Sequence, residues 1–118
     1  MKLEDLGERR VIEIIRRRLG GRGRGDVRLG IGDDTAVVRG PKNLLLTKDL
    51  LVEDYDFRRA SFPPRLLGRK ALNVNLSDIA AMGGRPLHAV VGLALPGETD
   101  RKWLLAFLDG FLEAARAA

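Results

Sequence analysis

The chain has 118 residues, of which 45% are hydrophobic and 31% charged, with a formal net charge of +5. That length suits one domain or one piece of a larger one, with enough apolar content for a core. No apolar run approaches the ~20 residues that a membrane helix needs. The absence of cysteine removes disulfides, thiolate nucleophiles and zinc–thiolate sites.

Residues 4–19 read as a helix, because Leu6, Val11, Ile12, Ile15 and Leu19 recur near helical spacing. Gly20 and Gly21 end it, and residues 20–25 form a glycine-rich loop. Val27–Ile31 and Thr35–Arg39 are short strand candidates, Gly40–Asn43 is a turn, and Leu44–Thr47 is a buried strand. Asp49–Phe57 is extended or irregular. Pro63 and Pro64 announce a helix from Pro64 to Met82, stopped by Gly83, Gly84 and Pro86. Leu87–Leu95 is almost wholly apolar and reads as a central strand. Thr99 or Asp100 caps a last helix, whose buried face is Leu104, Phe107, Leu108, Phe111, Leu112 and Ala115. The order suits an α+β fold, a mixed sheet with helices packed on one face. The last helix runs to Ala118, so the chain reads as the N-terminal portion of something longer. The amphipathic, acidic start Met1–Leu6 is no secretory signal. With the missing cysteines, it points to a cytoplasmic protein.

Charge is unevenly placed. Residues 32–58 hold six acids against four bases, a net −2, which leaves +7 for the rest of the chain. The arginine-rich stretch around Arg16–Arg18 and Arg22–Arg24 raises the question of nucleic acid. No aromatic residue precedes Tyr55, so stacking platforms for single strands are missing and nucleic acid is a disfavoured partner.

Three acidic points stand out. Gly30–Asp34 is a glycine turn delivering Asp33 and Asp34. Thr47 and Asp49 flank Lys48 at the end of an apolar strand and point the same way if the strand persists. Asp78 lies three residues after Asn75, on one helix face, inside the apolar run Ala71–Met82, and is expected to be half-buried. Mg²⁺ takes oxygen ligands, commonly one or two carboxylates, and shares the rest of its shell with phosphates. These points suggest a metal–phosphate site whose acids converge. The loop at 20–25 is no phosphate loop, since no Gly-Lys-Ser or Gly-Lys-Thr follows it. His88, the only histidine, reads as a packed or edge residue rather than a catalyst. No nucleophilic triad is available.

Together, Leu29–Val38, Thr47–Phe57 and Leu67–Pro86 resemble the bacterial thiamine-monophosphate kinase family, within the aminoimidazole-ribonucleotide synthetase-like ATP-binding superfamily. The resemblance spans nearly the whole chain, and the segment Leu67–Pro86 is its most specific part. It implies that residues 1–118 form an N-terminal ATP/Mg²⁺-binding domain lacking the family's C-terminal α/β domain. The implied reaction is ATP plus thiamine monophosphate giving thiamine diphosphate plus ADP, with Mg²⁺ as cofactor and no dedicated catalytic nucleophile. By position, Asp34, Thr47, Lys48, Asp49 and Asp78 would hold metal, with Asp33 supporting Asp34. At Lys48 the family often has a small hydroxyl residue, so only a main-chain contact carries over. Asp56 stands where the family places a substrate-contacting histidine, and is the candidate substrate-binding residue. The resemblance also implies a homodimer formed through these N-terminal domains, their sheets joining across a two-fold axis. Alternatives are another ATP-using enzyme of the superfamily, a non-catalytic dimerisation fragment or a basic nucleic-acid module.

Overall fold

A computed structural model describes residues 1–20 and 25–118. Its elements run α1 (Leu3–Leu6), α2 (Glu8–Leu19), β1 (Val27–Leu29), β2 (Val37–Val38), α3 (Pro64–Ala81) and α4 (Arg101–Ala117). The loop expected over residues 20–25 falls mostly outside the described residues.

The two long helices make the core. Leu67, Leu104, Phe107 and Leu108 are buried together with Leu3, and Leu6, Ile15, Leu51, Phe57, Phe62, Leu95 and Trp103 pack around them. Each fully buried side chain of this kind stabilises the fold by about 1.5–3 kcal/mol. The α3–α4 crossing is close because each helix presents a glycine. A methyl at Gly68 would overlap the carbonyl oxygen of Phe107, and one at Gly110 would overlap that of Arg65.

Helix ends follow local chemistry. Pro64 occupies the first turn of α3, where its missing N–H costs nothing. Asp100 caps α4, accepting from the backbone N–H of Lys102 at 2.8 Å. That bond holds the Asp100 carboxyl below its ordinary value of 3.8. The first helical stretch is two helices rather than one, because Gly7 adopts φ 74° between them, a conformation that breaks a right-handed helix.

The N-terminal segment docks on the start of α4. Leu3 N–H donates to Thr99 O and Glu4 N–H to Gly97 O, both at 2.9 Å, and Arg101 N–H donates back to Met1 O at 2.9 Å. Helix α2 reaches α4 at its far end, where Arg18 makes a two-pronged ion pair with Asp109 at 2.7 and 2.6 Å.

Sheet structure among the described residues is smaller than the sequence suggests. β1 and β2 pair antiparallel, Val27 opposite Val38 and Leu29 opposite Val37, with an irregularity between. Residues 44–47 and 87–95 carry no strand pairing. Large apolar side chains stand in the open there, among them Leu46 at 89% and Val90 at 96% exposure. The expectation of a buried 44–47 strand and a central 87–95 strand is thus not met within one copy. An apolar strand is buried only when a neighbouring strand or layer covers it, and the described elements give most of these residues no such cover, Leu95 at the core excepted. No helix is long and apolar enough to cross a membrane among the described residues.

The glycine crossing has a direct test. Gly68→Ala should destabilise the fold by about 3 kcal/mol in urea unfolding, since backbone rather than a movable side chain blocks the added methyl. Gly92→Ala, with nothing within 4 Å of the new methyl, should leave the midpoint nearly unchanged or slightly raised.

Candidate functional site

Helix α3 is the beam on which the candidate site is mounted. Asp78 lies in its last turns, and the Thr47 hydroxyl donates to Asp78 Oδ2 at 3.2 Å. Two motifs 31 residues apart are thereby joined. The approach is made possible at the helix end, where Gly84 leaves room for Leu45. A side chain at Gly84 would press on Leu45 and Ile79, so the 44–47 segment lies against the end of α3. Asp78 itself is exposed rather than half-buried. The buried polar atom is Asn75 Oδ1, one turn earlier, which has no hydrogen-bond partner while Asn75 Nδ2 donates to Ala71 O at 3.0 Å.

The glycine turn is built as the spacing suggests. Gly32 takes φ 119°, and Asp33 uses one carboxylate oxygen to accept the backbone N–H of Asp34 at 2.8 Å. Asp33 is therefore a support, and the Asp34 side chain is exposed and makes no ion pair or hydrogen bond among the described residues. Asp49 is likewise exposed and uncommitted, and Lys48 is exposed beside it. Among the described residues no three acidic or histidine side chains gather closely enough to hold an ion by themselves. Thr47 and Asp78 are brought together; a three-carboxylate cluster of Asp34, Asp49 and Asp78 is not formed.

The donor set still suits a hard cation. It consists of carboxylate and hydroxyl oxygens, and among the described residues no lysine or arginine pairs with Asp34, Asp49 or Asp78. Mg²⁺ usually needs only one or two carboxylates when phosphates fill the remaining positions.

Asp56 is differently occupied. Its Oδ2 accepts the backbone N–H of Val52 at 2.7 Å, and Val52 O accepts from Asp56 N–H at 2.8 Å. The carboxylate closes its own turn. Residues 53–57 form that turn, with a bridge between Glu53 and Phe57 and Asp54 at φ 70°. Lys70, on α3, donates to Asp56 O at 3.1 Å, and its ammonium lies 5.6 Å from the centre of the Phe62 ring. Two groups here escaped the sequence reading. Lys70 sits eight residues before Asp78, and Arg59 pairs with Glu53. Only an i, i+8 placement along α3 hints at the first.

His88 lies away from these residues, with Nε2 3.1 Å from Asp26 Oδ2, in keeping with a packed or edge role. An open groove of about 380 Å³ at Arg18, Arg65, Asp109 and Arg116 shares no residue with the site. The ion pairs Arg18–Asp109 and Arg65–Glu113 line it.

Known proteins bear on this arrangement. The family described as AIR synthase related protein, N-terminal domain, matches residues 32–118. The chain is similar to the thiamine-monophosphate kinase of Mycobacterium tuberculosis (strain ATCC 25618 / H37Rv), 41% identical over 114 residues, covering 96% of this chain and 34% of that protein. It is similar to the thiamine-monophosphate kinase of Aquifex aeolicus (strain VF5), 39% identical over 115 residues, covering 97% of this chain and 35% of that protein. Against the thiamine-monophosphate kinase of Bacillus subtilis (strain 168), 39% identity extends over 92 residues, 76% of this chain and 28% of that protein. The chain thus spans about a third of the length of the first two relatives. With most of its residues matched, from the glycine turn through α4, the chain belongs to the AIR synthase related protein family, N-terminal domain.

Proposed function

We propose that the chain is the ATP/Mg²⁺-binding N-terminal domain of a cytoplasmic thiamine-monophosphate kinase, which converts thiamine monophosphate and ATP to thiamine diphosphate and ADP. The observation that carries the site is the Thr47–Asp78 hydrogen bond, which joins the two motifs most specific to the reading. The kinase relatives, near 40% identity over almost the whole chain, support the reaction.

In this reaction an oxygen of the acceptor phosphate bonds to the γ-phosphorus of ATP as the bond to the ADP oxygen breaks. Such transfer depends on positioning and charge neutralisation rather than on a protein nucleophile. Bound Mg²⁺ would neutralise the phosphate oxygens and hold donor and acceptor in line. Asp34, Thr47, Asp49 and Asp78 would hold it, Lys48 contributing through its main chain. Asp33 fixes the direction of the Asp34 backbone. Asp56 belongs to the acceptor segment, its carboxylate closing the turn that faces the substrate. The acceptor is already ionised, so proton removal asks little of the chain.

The open apolar segments fit a homodimer. Residues 44–47 and 87–95 are apolar and unpaired among the described residues, and a second copy would supply the covering layer and complete the mixed sheet. Exposed apolar surface of this extent favours association, and a two-fold pairing closes it.

Three outcomes test the proposal. Mg²⁺ with a non-hydrolysable ATP analogue should raise Tm more than either alone, because ligands that bind only the native state stabilise it by mass action. Asp78→Asn or Asp49→Asn should remove that synergy, and Glu98→Gln should keep it; equal shifts in all three would sink the metal assignment. Thiamine-monophosphate phosphorylation by these 118 residues alone should stay at background in a coupled ADP assay. Turnover would mean that a third of the relatives' length suffices. Light scattering at micromolar concentration should report a dimer, shifted to monomer or to insolubility by Val91→Asp. A soluble monomer at high concentration would overturn the shared sheet.

A further inference from the structure

The 52–57 turn is gripped from two sides by side chains that metal binding does not use. Arg59 forms a forked ion pair with Glu53, Nε to Oε1 at 3.0 Å and Nη2 to Oε2 at 2.8 Å. Its remaining prong donates to Thr99 Oγ1 at 3.4 Å. Its guanidinium carbon lies 6.0 Å from the centre of the Trp103 ring, within cation–π range. Thr99 is buried, and Trp103 stacks on Phe107 in the core at 5.7 Å between ring centres. From the opposite side Lys70 holds Asp56 O.

The geometry of a planar fork matters here. A lysine at position 59 would supply charge without direction, whereas the guanidinium fixes the carboxylate's plane and orientation. A partly exposed ion pair adds little stability by itself. One guanidinium that engages the turn, the buried threonine before the α4 cap and the ring in the first turn of α4 instead sets where the turn stands. The turn needs such a hold, because Asp54 sits at φ 70°, a conformation that persists only when its surroundings impose it. The same turn is tied to α3 at Lys70, about 12 Å along the helix axis from Asp78 at 1.5 Å per residue. The metal end and the turn end of the site are thus referenced to one rigid element.

We infer that Arg59 is the positioning residue of the acceptor turn, locking residues 52–57 to the start of α4 so that they meet the acceptor phosphate in one fixed place. The inference rests on the reading of that turn as the thiamine-monophosphate segment.

The test uses the whole 118-residue chain, with thiamine monophosphate and the Mg²⁺–ATP analogue titrated separately by calorimetry. Arg59→Met should weaken thiamine monophosphate about tenfold or more, since a misplacement near 1 Å has effects of that order or larger. The Mg²⁺–nucleotide affinity, set at the Thr47–Asp78 end, should hold. Amides 53–57 should exchange with solvent faster while those of α3 and α4 keep their protection, which a general loss of folding would not spare. The swapped pair Glu53→Arg with Arg59→Glu rebuilds the ion pair but not the contacts to Thr99 and Trp103, so it should restore neither readout, and Arg59→Lys should restore them only in part. Unchanged exchange at 53–57, or equal loss for both ligands, would overturn the positioning role. Wild-type chain that binds the Mg²⁺–nucleotide but not thiamine monophosphate would overturn the reading of the turn itself, and the role of Arg59 in it.

Discussion

The close approach of α3 and α4 is the constraint on which the rest of the molecule depends. Gly68 and Gly110 remove the side chains that would hold the helix backbones apart, so Leu67, Leu104, Phe107 and Leu108 close into one core. The functional consequence is one of registration. α3 carries Lys70 and Asp78, and the start of α4 carries Thr99, Asp100 and Trp103. Groups on the two helices act on the same turn, through Lys70 on one side and Arg59 with its Thr99 and Trp103 contacts on the other. A shift of one helix against the other would therefore move the turn relative to Thr47 and Asp78. Packing and site geometry are set by the same two missing side chains.

The second constraint is the unpaired backbone of residues 44–47 and 87–95. An apolar extended segment has two demands, cover for its side chains and partners for its N–H and C=O groups. Within one copy the first is met only in part, where Leu45 approaches Gly84 at the end of α3 and where Leu95 packs on the core. Leu46 and Val90 remain almost fully open. Open edges of this sort are templates for pairing with another chain. The end of α3 thus lies next to both the candidate site and the surface most in need of a second layer, so covering that surface would also steady the segment that carries Thr47.

What was legible in the sequence follows how local each cause is. The bounds of α3 and α4 were readable because Pro64, Gly83 and Asp100 act within a turn or two of themselves. The break between α1 and α2 was not, since a glycine at position 7 is tolerated in many helices and only its positive φ reveals the break. Strands fared worse than helices. Alternation and apolarity identify segments that want a partner, but the partner is a long-range fact, and residues 87–95 find none among the described elements. At the site, the glycine turn carrying Asp33 and Asp34 was read from its motif, while a shared place for Thr47 and Asp78 was only implied by the family resemblance. The exposure of Asp78, the inward use of Asp56 and the grip of Arg59 were not, because each depends on where a side chain turns, and composition is blind to that.

The acids of residues 32–58 then divide by employment, and the division bears on chemistry. Asp33, Glu53 and Asp56 are spent on structure, accepting from Asp34 N–H, Arg59 and Val52 N–H respectively. Asp34 and Asp49 are left with no partner, and Asp78 meets only a hydroxyl. In a chain with 21 lysines and arginines, leaving these three carboxylates without a cationic side chain is a placement, not a shortage. Arg59 is committed to Glu53, and Arg18 and Arg65 to Asp109 and Glu113. On the proposed reading, a divalent ion would neutralise these carboxylates only on arrival and would bring a polyphosphate with it. The turn at Asp56 completes the logic from the other end. Its carboxylate is drawn into the turn and its carbonyl is held by Lys70, so the negative charge that would repel an anionic acceptor is partly masked by the bonds that shape the turn.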